Sequence, residues 1–146
     1  MDVNGRFNRH TERWHRSLAR ECRQSGGNTL TANTRWAALP VANFLAGPVR
    51  IEQLTTYGQL LDEGNAHHHC VATYLQSCRQ GRCGIFSLTV DGARALTLEV
   101  RADRTIVQVR GKYNRWMTEQ EHAWILQWLD QARLALSKHA GIDWQE

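Results

Sequence analysis

The sequence predicts an α+β domain, a three-stranded or slightly larger antiparallel β-meander flanked by N-terminal, central and C-terminal helices. Three observations carry this. Residues 83–110 alternate apolar and polar side chains across two tight-turn signals. Residues 118–121 read Thr-Glu-Gln-Glu, a capping box ahead of a broad apolar helical face. The first 25 residues set aromatic and basic side chains on opposite sides of a helix. A chain of 146 residues suits one domain, 1–146, that buries its own core, and 42% hydrophobic content excludes general disorder.

The N-terminal helix, 1–25, is capped by Asn4 or Asp2 and ended by Ser25-Gly26-Gly27. Arg6, Arg9, Arg13, Arg16, Arg20 and Arg23 follow a three-four spacing and form one narrow stripe. Phe7, Thr11, Trp14, Leu18 and Cys22 lie opposite. Such a stripe is either a solvated face, with Glu12 and Glu21 neutralising part of it, or a contact for a membrane, a partner protein or phosphates. No acid interrupts the stripe, which points to phosphate. Residues 26–49 hold many turn formers and read as a long connection with one helical turn at 41–46. A helix is expected from Glu52 to Leu61, stopped by Glu63-Gly64-Asn65, and another from His67 to Gln80-Gly81. Leu54, Tyr57, Leu60 and Leu61 form the apolar side of the first, and Val71, Tyr74, Leu75 and Cys78 that of the second.

Strands are expected over 83–90, 93–101 and 105–110, joined by Asp91-Gly92 and Ala102-Asp103-Arg104. Alternation assigns Phe86, Leu88, Val90, Leu96, Leu98, Val100, Val107 and Val109 to the core face. Ser87, Thr89, Thr97, Glu99, Gln108 and Arg110 fall on the other face, read as solvent, a ligand surface or a site wall. The last helix runs over 118–140, with Trp124, Ile125, Trp128, Leu129, Ala132, Ala135 and Leu136 on its apolar side and Gly141 ending it.

The net charge is +4 and the pI about 9.2. Only Lys112 and Lys138 of the 18 basic residues are lysine; arginine forks onto phosphate and stacks on bases. No apolar run is long enough to span a membrane and no secretory signal opens the chain, so a cytoplasmic location without membrane contact is expected. There, Cys22, Cys70, Cys78 and Cys83 are expected to be free, buried, catalytic or metal-bound rather than disulfide-linked.

Three stretches carry the chemistry: Leu61-Asp62-Glu63-Gly64 leading into His67-His68-His69-Cys70-Val71-Ala72-Thr73-Tyr74; Ile85-Phe86-Ser87-Leu88; and Thr97-Leu98-Glu99-Val100 leading to Gln108-Val109-Arg110-Gly111-Lys112-Tyr113-Asn114. In this order they resemble the PcfJ-like family over residues 51–116, with Ala72 where members often carry glycine. The resemblance implies a protein of conjugative plasmids, phages or other mobile elements, and it supplies no defined reaction.

Three chemistries fit the residues. His69 and Cys70 at a helix start, with Glu99, Gln108 and Arg110, form a candidate catalytic set in which an activated thiol attacks an electrophile; a packed, inert Cys70 is the alternative. His67, Cys70, Cys78 and Cys83, flanked by His68 and His69, are candidate zinc ligands, although their spacing matches no finger or ribbon. Arg110, Lys112, Tyr113, Asn114 and Arg115, with Gly111 and Trp116, interleave cations and aromatics, as a nucleic-acid-binding loop does. The alternative there is that Asn114 and Arg115 bond locally and position Trp116 before the last helix. The expected partner is therefore nucleic acid, RNA or DNA. The rivals are an enzyme using the His69–Cys70 cleft and a small protein that binds and inhibits a host protein.

Overall fold

A computed structural model describes residues 31–67 and 74–140 of the chain. The 1–25 helix and its arginine stripe, the segment holding His68, His69, Cys70 and Val71, and the Gly141 stop lie outside the described residues. The remainder is α+β, with a sheet larger than the expected meander. Its strands are β1 (Phe44–Ala46), β2 (Val49–Leu54), β3 (Cys83–Val90), β4 (Ala93–Arg101), β5 (Thr105–Arg110) and β6 (Ala135–Leu136), in that spatial order. All neighbours run antiparallel except β5 and β6, which are parallel. Among the described residues three helices accompany the sheet, α1 (Tyr57–His67), α2 (Leu75–Arg79) and α3 (Glu119–Ala132), and a 3-10 turn forms at Lys112–Asn114.

The central strands β3, β4 and β5 fall where alternation and turn chemistry put them. Asp91 and Gly92 both adopt positive φ, at 52° and 82°, the geometry that an Asp-Gly hairpin turn requires. One side chain differs from expectation. The register slips between Glu99 and Val100, so Val100 faces Ile106. Ile106 is therefore fully buried, and Val107, expected in the core, is only partly covered.

The segment 41–46 is not a helical turn. Gly47, at φ 59°, turns the chain so that Phe44 pairs with Ile51 and Ala46 with Val49. Likewise Glu52 to Leu54 belongs to β2, not to a helix, because these residues pair with Ser87, Phe86 and Ile85. The first helix begins later, at a capping box. Thr56 Oγ1 accepts from the Gln59 N–H at 3.1 Å, and Gln59 Oε1 accepts from the Thr56 N–H at 3.1 Å. It then continues through Gly64 to His67 instead of stopping there. The third helix starts at the predicted box: Thr118 Oγ1 accepts from the Glu121 N–H at 3.1 Å and Glu121 Oε1 from the Thr118 N–H at 2.9 Å. It ends at Ala132, not near 140, because Arg133 turns left-handed at φ 57° and Arg104 donates to the carbonyls of Ala132 and Arg133. Ala135 and Leu136 leave the helix as β6.

The main core lies between the sheet and α3. Phe86, Leu88, Leu96 and Leu98 meet Ile125 and Trp128. The Trp128 ring centroid is 4.9 Å from that of Phe86, and its indole N–H donates to the Ala42 carbonyl at 2.8 Å. Trp128→Ala is expected to cost about 3–5 kcal/mol in a urea unfolding titration. Trp124→Ala, on the partly buried side of the same helix, is expected to cost clearly less.

Candidate functional site

The opposite sheet face carries the polar motif residues. Cross-strand register sets Glu52, Ser87, Thr97 and Arg110 abreast in one row, and Leu54, Ile85, Glu99 and Gln108 abreast in the next. Alternation anticipated the polar members, but this face is not simply open. Toward the Cys83 end, α1 and α2 close over it with Leu54, Tyr57, Leu60, Leu75, Cys78 and Ile85. Toward the Ser87 end, the covering group is a carboxylate.

Glu63 projects from α1 and is fully buried. Thr97 Oγ1 donates to its Oε2 at 2.6 Å and Arg94 Nε donates to its Oε1 at 3.0 Å. His67, one turn further on, brings Nε2 to 3.5 Å from Oε2. The Ser87 hydroxyl sits alongside, short of hydrogen-bonding geometry. Burial pushes the carboxyl pKa up, but His67, Thr97 and Ser87 outweigh it and hold Glu63 below its ordinary range. An ionised carboxylate so placed needs each of these partners.

Across the next row, Glu99 pairs directly with Gln108. The Tyr74 hydroxyl, just ahead of α2, donates to Gln108 Oε1 at 3.0 Å, which leaves the Gln108 amide as a donor. Burial raises the pKa of Glu99, with Arg101 opposing it. Tyr74 is pushed up to about 12, first by burial and then by Glu99 and Cys83. Tyr74, Glu99, Gln108 and Arg110 thus form one half-buried polar group. Three of the five candidate catalytic residues, Glu99, Gln108 and Arg110, come together here. The other two, His69 and Cys70, lie outside the described residues.

Beyond β5 the candidate nucleic-acid loop splits into two kinds of residue. Arg115 is a strut. Its guanidinium meets both oxygens of Glu121, at 2.9 and 2.8 Å, and also donates to the carbonyls of Trp116 and Ala95. Gly111 serves this strut, because a Cβ there would lie 2.7 Å from Arg115 side-chain atoms. Arg115 is thus bonded locally, as the alternative reading has it, with part of its side chain exposed. Lys112, Tyr113 and Trp116 face outward, while Arg110 and Asn114 are half-buried. Tyr113 and Trp116 are 60% and 42% exposed. Arg110 stacks over Trp116 at 3.9 Å and Lys112 lies 5.6 Å from the Tyr113 ring centre. Tyr113 and Asn114 are both left-handed, at φ 58° and 64°. Asn114 N–H bonds Gly111 and Gly111 N–H bonds Arg115, which fixes the turn.

Among the described residues the candidate zinc ligands His67, Cys78 and Cys83 do not gather. Among the described residues no group of three or more His, Cys, Asp or Glu side chains is placed to hold a metal. His67 faces Glu63, while Cys78 and Cys83 face each other with sulfurs 3.9 Å apart. Cys70 lies outside the described residues. The residues missed from sequence are Glu63, Tyr74, Arg94 and Thr97. Their signal was present, since Glu63, Tyr74 and Thr97 all belong to the stretches quoted above, but Glu63-Gly64 resembles a helix stop.

Glu63→Gln is expected to cost about 3–5 kcal/mol at neutral pH, because it leaves Arg94 and His67 facing a lost charge. The folded pKa of Glu63 lies below the unfolded one. Its contribution is therefore complete above the ordinary carboxylate range and is lost as pH falls through the folded value. Urea titrations are expected to show the gap between parent and Glu63→Gln narrowing in acid and constant toward neutrality.

Comparison with known proteins extends the resemblance at both ends. The PcfJ-like protein family matches residues 6–126, from the first arginine of the stripe into α3. No curated protein and no solved structure matches the chain. Spanning most of the sequence and all three motif stretches, the match shows that this chain belongs to the PcfJ-like protein family.

Proposed function

We propose that the domain binds single-stranded nucleic acid through the loop from Arg110 to Trp116. The observation that supports this reading most is the pairing of each exposed ring, Tyr113 and Trp116, with a neighbouring cation on a turn held by the Gly111–Arg115–Glu121 clip. Exposed rings offer π-faces to bases, and flanking cations neutralise the phosphates between them. A fixed turn lowers the ordering cost of binding. The arginines at 6, 9, 13, 16, 20 and 23 would add phosphate contacts, in keeping with the net charge of +4. The resemblance to proteins of mobile elements gives a setting in which nucleic acid is the natural partner.

A second reading is favoured by a separate observation. Glu99 is a half-buried carboxyl with a raised pKa, beside Gln108, Tyr74 and Arg110. Such a group suits proton transfer. This makes the face beneath α2 the natural position for chemistry on a strand held by the loop, with Glu99 as acid or base and Arg110 as the anion contact.

The test is fluorescence anisotropy with labelled single-stranded and duplex oligonucleotides at two salt concentrations. Single strands are expected to bind more tightly at low salt. Tyr113→Ala is expected to cost about 1–3 kcal/mol of binding. Lys112→Ala is expected to flatten the salt dependence by about 0.7 in log–log slope. Absence of binding at low salt, or a Tyr113→Ala/Trp116→Ala variant that binds as tightly as the parent, contradicts the proposal.

A further inference from the structure

Two thiols lie away from the loop, next to the Tyr74–Glu99 end of the polar row. Cys78, on α2, and Cys83, the first residue of β3, are 2% and 4% exposed, with sulfurs 3.9 Å apart. The connection between them is tight: Gly81 is left-handed at φ 74°, its N–H bonds the Cys78 carbonyl, and the Arg82 N–H bonds the Ser77 carbonyl. This turn holds the two side chains against one another in the small apolar cluster with Leu75 and Ile85. We propose that Cys78 and Cys83 are a redox-active pair that closes to a reversible disulfide by exchange with a small disulfide such as oxidised glutathione.

Bonded sulfurs lie about 2.05 Å apart, so closure brings the two sulfurs together from 3.9 Å by side-chain rotation and a shift of α2. The covering element is a five-residue helix packed against β3, and short elements of this kind open locally without global unfolding, giving the reagent access. Either thiol can donate in the shared hydrogen bond, so either can lead the attack, Cys83 with Cys78 resolving or the reverse. With Cys83 leading, attack on one sulfur of the glutathione disulfide forms a Cys83–glutathione mixed disulfide and releases one glutathione thiolate, which takes up a proton. Deprotonated Cys78 then attacks the Cys83 sulfur and expels the second glutathione. The protein has lost two protons and two electrons, and one glutathione disulfide has gained them to become two thiols. Closure fixes α2 to β3 and with it Tyr74, the residue immediately before α2, whose hydroxyl holds Gln108. The oxidation state would therefore govern how firmly the polar row is held.

The experiment uses the full chain, incubated at graded ratios of reduced to oxidised glutathione, alkylated under denaturing conditions and digested with trypsin. Cleavage at Arg79 and Arg82 separates Cys78, in peptide 51–79, from Cys83, in peptide 83–94. The expected result is a linked pair of these peptides, with fragment ions placing the bond at Cys78. It should grow with oxidation, disappear with dithiothreitol, be absent in Cys83→Ser and persist in Cys70→Ser. If both thiols stay alkylatable at the most oxidising ratio, or if Cys83 joins only glutathione, Cys22 or Cys70, the proposal is overturned. Because the parent protein gives the primary readout, the outcome does not depend on any variant folding, nor on whether the chain binds nucleic acid.

Discussion

A single buried carboxylate organises the half of this protein that carries its motifs. Glu63 has no access to solvent, yet it is held in its charged form by a threonine and an arginine from β4 and a histidine one turn along its own helix. Removing a charge from water is costly, and the cost is offset only while every partner stays in place. That condition fixes where α1 sits on the sheet, and α1 in turn packs against the 3-10 turn from which Tyr113 projects. The acidic-glycine, Ile-Phe-Ser and Thr-x-Glu stretches are separated in sequence but converge here: Glu63, Ser87 and Thr97 are neighbours. Their spacing reflects one packing constraint.

The two faces of the sheet thus do different work. The face toward α3 is a conventional apolar core in which Phe86 and Trp128 meet and shape decides stability. The face toward α1 and α2 is partly polar, and its order comes from charge and hydrogen bonds. Along it, from the Glu63 cluster past the Tyr74–Gln108 bond to Arg110 and Trp116, polar groups become steadily more exposed. A domain arranged in this way has a rigid base on one side and chemically varied surface on the other.

How much of this was legible in the sequence depended on whether the deciding interaction was local. The β3–β5 meander was read to the residue because alternation and Asp91-Gly92 act over a few positions. The Thr118–Glu121 box was equally plain. The same pattern at Thr56–Gln59 is hidden because Leu54, Tyr57 and Leu61 mimic a helical stripe starting earlier. In the fold, Leu54 completes a strand paired with Ile85, a contact between residues far apart in the chain. Gly64 reads as a stop, and a glycine within a helix does cost stability, but the tertiary bonds of Glu63 outweigh it. Val107 displaces Ile106 in a simple alternation because the slip after Glu99 is invisible to periodicity. In the candidate site, Glu99, Gln108 and Arg110 share one sheet face, which period-two alternation alone makes legible. For Arg115 the sequence leaves a phosphate contact and local bonding both open, because nothing in its own neighbourhood announces that Glu121, six residues on, meets its guanidinium.

The claim that the Glu63 carboxylate ties α1 to the sheet is tested most directly by a double-mutant cycle with Glu63→Gln and Thr97→Val. The stabilities of parent, single and double variants would be measured by urea unfolding at neutral pH. A hydrogen bond to a buried charge predicts a coupling energy of about 1.5–3 kcal/mol. Additivity within about 0.5 kcal/mol would contradict the account, because the two residues would then stabilise the fold independently.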